Sequence, residues 1–209
     1  MMSTGNEFQK TLRTQRIVAI VRAASADDAI ASGRRLLDSG LAILEISLNT
    51  PGAVTAIRAL RGIARDRQEA CIGAGTVMTA ADVSDVADAG AQFYVAPVFD
   101  REAVAAAQDR GLAAVPGCAT PSEMWQAHQA GAAAIKLFPA TDWTFDGLRN
   151  VLRAMPYLRV VPTGGVSVDN AADWLDAGAV ALGVGSALET PDVVDKLTAA
   201  VAHSSVGAS

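Results

Sequence analysis

Lysine is scarce in this sequence, and one of its three lysines stands where a cation is costly. Lys136 lies inside Ala132-Ala133-Ala134-Ile135-Lys136-Leu137-Phe138-Pro139, an apolar run with one charge near its middle. Runs of this kind read as strands of a parallel sheet, buried on both faces. An ammonium buried there must be paired or neutralised. Desolvation lowers a lysine pKa and can leave a neutral, nucleophilic amine, which is what Schiff-base catalysis uses. Lys10, in a polar leader, and Lys196, in a C-terminal helical pattern, can stay solvated. Two blander readings of Lys136 are a buried structural ion pair and an edge strand, and a perturbed lysine marks a site only statistically.

Glu45 occupies a comparable position. Leu44, Ile46 and Leu48 form one apolar face suited to a helix layer, so Glu45 and Ser47 point inward. By the same alternation Ile135 and Leu137 face outward, and Lys136 and Phe138 inward. Glu45 follows Gly40 at the same spacing as Lys136 follows Gly131, which predicts similar depth. Such a pair is either structural or a nucleophile with its proton shuttle.

Two glycine-rich turns form a second constellation, Pro162-Thr163-Gly164-Gly165-Val166 and Gly183-Val184-Gly185-Ser186. They follow the last two expected strands, where barrels commonly hold phosphate with backbone amides. Glycine lets the backbone approach an anion closely, although ordinary strand-to-helix turns use glycine too. Arg22, Asn49 and Thr76 are further polar residues at strand ends. Trp125, Trp143 and Trp174 read as packing or subunit contacts. Cys118 has no nearby His or Asp pattern and reads as packing.

The elements that must position these groups are punctuated by glycine. Helical patterns end at Gly40, Gly90, Gly111, Gly131 and Gly178, each followed directly by a strand. Helix starts are predicted at Thr50-Pro51, Thr120-Pro121 and Thr190-Pro191, with Thr120 to Glu123 as a capping box. Ser25, Thr79 and Ser167 are expected to cap in the same way. Eight strands are expected, at 17–21, 43–48, 70–75, 93–96, 112–115, 133–138, 159–163 and 180–184. Eight alternating units predict a single α/β domain over 1–209, a (β/α)8 TIM barrel. At 209 residues each unit has about 26, which leaves little room for insertions. A doubly wound open sheet is the alternative, but a Gly-x-Gly-x-x-Gly turn is missing after the first strand. Phe8–Arg16 reads as a short N-terminal helix plugging the barrel bottom, and 1–7 and 203–209 as frayed ends.

Composition narrows the function classes. Hydrophobic residues make up 51%, ample for a core, and the net charge of −5 with no basic cluster argues against nucleic acid. No run approaches a membrane span or a secretory core, and Cys71 and Cys118 lie in apolar strand contexts, so a cytoplasmic protein with buried thiols is expected. His128 and His203 share no metal-ligand spacing, so no metal site is expected.

IVAIVR, LEISLNTP, IGAGTV, VPGCATPSE, IKLFPA, VPTGGVS and GVGSAL occur in order over roughly residues 17 to 190. Together they resemble the 2-keto-3-deoxy-6-phosphogluconate aldolases, class I enzymes that work through a Schiff base. The resemblance implies a homotrimeric barrel, without cofactor or metal, that cleaves its phosphorylated keto-deoxy sugar acid to pyruvate and glyceraldehyde 3-phosphate. It implies Lys136 as the Schiff-base lysine and Glu45 as the proton-transfer residue. It assigns the pyruvate pocket to Thr76, Pro97, Phe138 and Thr163, and the phosphate contacts to Gly164, Gly165, Gly185 and Ser186. Many members carry an arginine where this chain has Asn49, and Arg22 takes the cation's role in members with this arrangement. LEISLNTP resembles sister enzymes acting on the galactonate epimer, whereas Thr163 resembles the gluconate type. Two other classes fit the residues alone: a phosphate-binding barrel isomerase or epimerase using Glu45 as a base, and a non-catalytic sugar-phosphate binder or trimeric scaffold.

Overall fold

A computed structural model describes residues 4–67, 69–185, 188 and 190–203. The chain alternates helix and strand: α1 (Thr4–Gln15), β1 (Ile17–Val21), α2 (Ala26–Asp38), β2 (Ile43–Ser47), α3 (Ala53–Ile63), β3 (Cys71–Gly75), α4 (Ala80–Asp88), β4 (Phe93–Val95) and α5 (Arg101–Asp109). It continues with β5 (Ala113–Val115), β6 (Gly117–Cys118), α6 (Pro121–Gln129), β7 (Ile135–Leu137), a 3-10 turn (Ala140–Asp142), α7 (Phe145–Ala154), β8 (Val160–Pro162), α8 (Ala171–Asp176), β9 (Leu182–Val184) and α9 (Pro191–His203). Among the described residues no helix is long and apolar enough to cross a membrane.

All pairings between these strands are parallel. They form a six-stranded sheet, β5-β4-β3-β2-β1-β9, and a three-stranded sheet, β6-β7-β8. Hydrogen bonds cross both gaps between the sheets. Ala133 N donates to Ala114 O at 2.8 Å, from the segment before β7 to β5. On the other side Val180 N donates to Val160 O at 3.0 Å, and Thr163 bridges Gly183. The expected count of eight strands is corrected at Pro116. Proline has no N–H to give a ladder, so the expected fifth strand stops before it, and Gly117–Cys118 is an additional ninth strand. Ala113–Val115 pairs with β4, and Gly117–Cys118 pairs with β7.

Side-chain alternation sorts the interior into two layers. Leu44, Ile46, Ile72, Ala74, Ile135 and Leu137 face the helices. Val18, Ile43, Phe93, Val95, Val115 and Val161 face the other way, where they meet Phe8 and Leu12 of α1. Phe8 stacks on Phe93 with ring centroids 4.6 Å apart. The N-terminal helix therefore plugs one end of the inner layer, as expected, although it begins at Thr4 rather than Phe8.

Local punctuation is mostly as read. Gly40, Gly90, Gly111, Gly131 and Gly178 all take positive φ, the conformation that ends a helix without a Cβ penalty. Ser25 caps α2, and capping boxes close on Thr79 and Thr120. Two expected caps fail. Gly52 begins α3, while the Thr50 hydroxyl accepts from Ala23 N at 3.1 Å and ties β1's exit to β2's. Asn170 begins α8, and Ser167 only donates its amide to the Asn170 side chain at 2.9 Å.

Candidate active site

The plug leaves the opposite, C-terminal ends of the strands free, and a cavity of about 710 Å³ opens there. Its wall includes Arg22, Glu45, Asn49, Thr76, Pro97, Lys136, Phe138, Thr163, Gly164, Gly165 and Gly185. Every residue that the resemblance assigns to catalysis or substrate binding therefore borders one space, except Ser186, which lies outside the described residues.

Glu45 and Lys136 come from different sheets. Glu45 sits between Ile20 of β1 and Gly73 of β3, and Lys136 between Gly117 of β6 and Val161 of β8. Both are buried, at 3% and 7% exposure, which leaves little water to solvate a charge. Burial pushes the Glu45 carboxyl upward, against the opposing pull of Lys136 and Arg22. Burial lowers the Lys136 amine; Glu45 opposes that shift and Arg22 adds to it. Both groups are thus moved toward neutrality, the direction that makes an amine nucleophilic and a carboxyl a better proton carrier near pH 7. Lys136 Nζ also stands 4.7 Å from the Phe138 ring centroid.

Small neighbours make room for these groups. A Cβ at Gly75 would collide with the Glu45 carboxyl, and one at Gly183 with the Thr163 hydroxyl. A cavity of about 10 Å³, roughly the room one water needs, lies between Glu45, Lys136, Thr163 and the apolar plug. Thr76 has φ 60, a left-handed conformation that strains a β-branched residue. Its hydroxyl pairs with Ser47 Oγ at 3.1 Å, and Ser47 also accepts from Asn49 N at 3.4 Å. The exits of β2 and β3 are thereby joined beside the cavity. Gly164 and Gly165 both take positive φ, 86 and 83.

Sequence reasoning missed part of the wall. Ser32, Arg35 and Leu36 on α2, with Ile20 and Leu188, also border the cavity. Helical spacing places 32, 35 and 36 on one face, but nothing in the sequence says that this face reaches the site. Among the described residues, no group of three or more His, Cys, Asp or Glu is placed to hold a metal ion.

Comparison with known proteins gives the family of the chain. The family model for KDPG and KHG aldolases matches residues 8–202. The 2-dehydro-3-deoxy-6-phosphogalactonate aldolase of Escherichia coli K12 is 35% identical over 82% of this chain and 83% of its own. The KHG/KDPG aldolase of the same strain is 31% identical over 90% and 87%. The crystal structure of KDPG aldolase from Legionella pneumophila, with pyruvate captured as a covalent carbinolamine intermediate, superposes with a TM-score of 0.79 at 26% identity, covering 98% of this chain and 99% of that one. With a buried amine and carboxyl facing one cavity and a family match over nearly its whole length, the chain belongs to the KDPG and KHG aldolase family and is an aldolase, a carbon–carbon lyase.

Proposed function

We propose that this aldolase cleaves 2-keto-3-deoxy-6-phosphogluconate to pyruvate and glyceraldehyde 3-phosphate, with Lys136 as the Schiff-base residue. The observation that carries the reading is the buried, downward-shifted Lys136 facing the same cavity as buried Glu45. Neutral Lys136 adds to the C2 ketone and water leaves, giving an iminium. Glu45, directly or through one water, takes the C4 hydroxyl proton. The C3–C4 bond then breaks, its electron pair enters the iminium to form an enamine, and glyceraldehyde 3-phosphate departs. Glu45 returns a proton to C3, and hydrolysis frees pyruvate and the amine. The iminium is the electron sink, so the scheme uses neither metal nor cofactor.

The other wall residues divide by chemistry. Arg22 and Asn49 serve the substrate carboxylate, Arg22 supplying the charge that Asn49 cannot. Thr76, Pro97, Phe138 and Thr163 shape the pyruvate end. The amides of Gly164, Gly165 and Gly185, together with Ser186, hold the phosphate. A second substrate, the 6-phosphogalactonate epimer, is favoured by Asn49 and by the name of the 35% identical relative. Cleavage assays with both epimers decide between them: a higher kcat/KM for the gluconate form supports the first reading, and the reverse supports the second. Turnover of neither overturns both.

We further propose that residues 1–209 form one closed (β/α)8 barrel, with β5 and β6 as halves of one stave. The hydrogen bonds across both gaps between the sheets support this closure. A homotrimer in the cytoplasm is the assembly we propose. Exposed Met78, Val98, Trp125 and Tyr157 supply apolar surface for subunit contacts, and buried free Cys71 and Cys118 suit a reducing compartment. Light scattering that finds a monomer at micromolar concentration would count against the trimer.

A further inference from the structure

Arg35 connects helix α2 to Leu188, beyond the end of β9. Its Nη2 donates to the carbonyl of Leu188 at 3.2 Å. Leu188 in turn donates its amide to the Gly185 carbonyl at 3.0 Å. Arg35 and Gly185 border the same large cavity, with Ser32 and Leu36 beside them on α2. The depth of α2 is set independently. A Cβ at Gly33 would lie 2.7 Å from the Leu60 δ carbons, so the glycine lets α2 seat closely on α3. Glycine is disfavoured inside a helix relative to alanine, and here close packing offsets that cost. The anchor of Arg35 is therefore a helix fixed in place.

We propose that Arg35 is a positioning residue for the phosphate arm of the substrate. It holds the Leu188 carbonyl, the Leu188 amide holds the Gly185 carbonyl, and all three residues border the same cavity. The proposal rests on the reading of the two glycine turns as the phosphate site. It makes discrimination for phosphorylated over unphosphorylated keto-deoxy acids depend on a helix that carries none of the chemistry. The pyruvate end, built on Lys136, Glu45 and Thr76, should not sense the change.

The test uses Arg35→Met, which keeps the apolar stem but removes charge and hydrogen bond, and Arg35→Lys, which keeps the charge. Three quantities are read for each: KM and kcat with the phosphorylated substrate, inhibition by inorganic phosphate, and proton exchange of pyruvate. Arg35→Met is expected to raise KM and the phosphate inhibition constant about tenfold, the effect of one charge-assisted hydrogen bond. Pyruvate exchange should be unchanged, and Arg35→Lys should recover part of the loss. Wild-type KM and phosphate inhibition in Arg35→Met overturn the proposal. So does a parallel loss of pyruvate exchange, which would make Arg35 a packing residue. If the unaltered enzyme neither prefers phosphorylated substrate nor responds to phosphate, the glycine-turn reading fails first and this proposal falls with it.

Discussion

Glu45 and Lys136 border one cavity, and the charge of each opposes the shift that burial imposes on the other. Replacing Glu45 by Gln keeps shape and hydrogen bonding but removes the base. A positioned general base contributes about 10²- to 10⁴-fold, so kcat should fall by that order while imine trapping with pyruvate persists. Normal turnover by Glu45→Gln would move the shuttle elsewhere. Arg22 acts on both groups, depressing the Lys136 amine and the Glu45 carboxyl. Removing that cation lets both pKa values rise. The proposed mechanism needs neutral Lys136 and ionised Glu45, forms present only above the respective pKa values. In Arg22→Ala the acid limb of the pH–rate profile should therefore move to higher pH, and KM should rise about ten- to a hundredfold through loss of the carboxylate contact. An unmoved acid limb with unchanged KM would assign the carboxylate to Asn49 and backbone amides alone.

Helices, more than strands, announced themselves in the sequence. A glycine that ends a helix and a hydroxyl that starts one are local signals, and Gly131, Thr79 and Thr120 behave as read. Thr50 and Ser167 fail because the backbone around them chooses another first residue, Gly52 or Asn170, which no single side chain dictates. The short strand Gly117–Cys118 was likewise hidden, since only its pairing with β7 makes it a strand. Alternation placed Glu45 and Lys136 correctly because one side of each strand is uniformly apolar. The α2 face bearing Ser32 and Arg35 was illegible because its contact with the cavity is tertiary. The best-defined local prediction concerns α6, where the Thr120 hydroxyl accepts from Glu123 N at 3.3 Å and the Glu123 carboxylate accepts from Thr120 N at 2.8 Å. Thr120→Ala should cost about 1 kcal/mol. For a chain of this size that is a fall of about 2–4 °C in Tm by calorimetry, with kcat unaffected. An unchanged Tm would mean that packing, rather than the cap, holds the helix start.

At the scale of the whole molecule, α1 and the strand ends divide the interior into an apolar floor and an open mouth. Phe8 is 1% exposed and stacked on Phe93, directly in the layer beneath Lys136. Phe8→Ala should destabilise the protein by about 3–5 kcal/mol in urea titration. It should also admit water under the amine, weakening the burial that depresses its pKa and moving the acid limb upward. A stability loss without any change in the pH profile would separate the plug from the chemistry. The central claim is that Lys136 is the covalent residue, and the most direct measurement is borohydride reduction in the presence of pyruvate followed by peptide mapping. The expected result is a single pyruvate-derived mass on Lys136, absent in Lys136→Met and retained in Glu45→Gln. An adduct on Lys10 or Lys196, or no adduct in an enzyme that turns over its substrate, contradicts it.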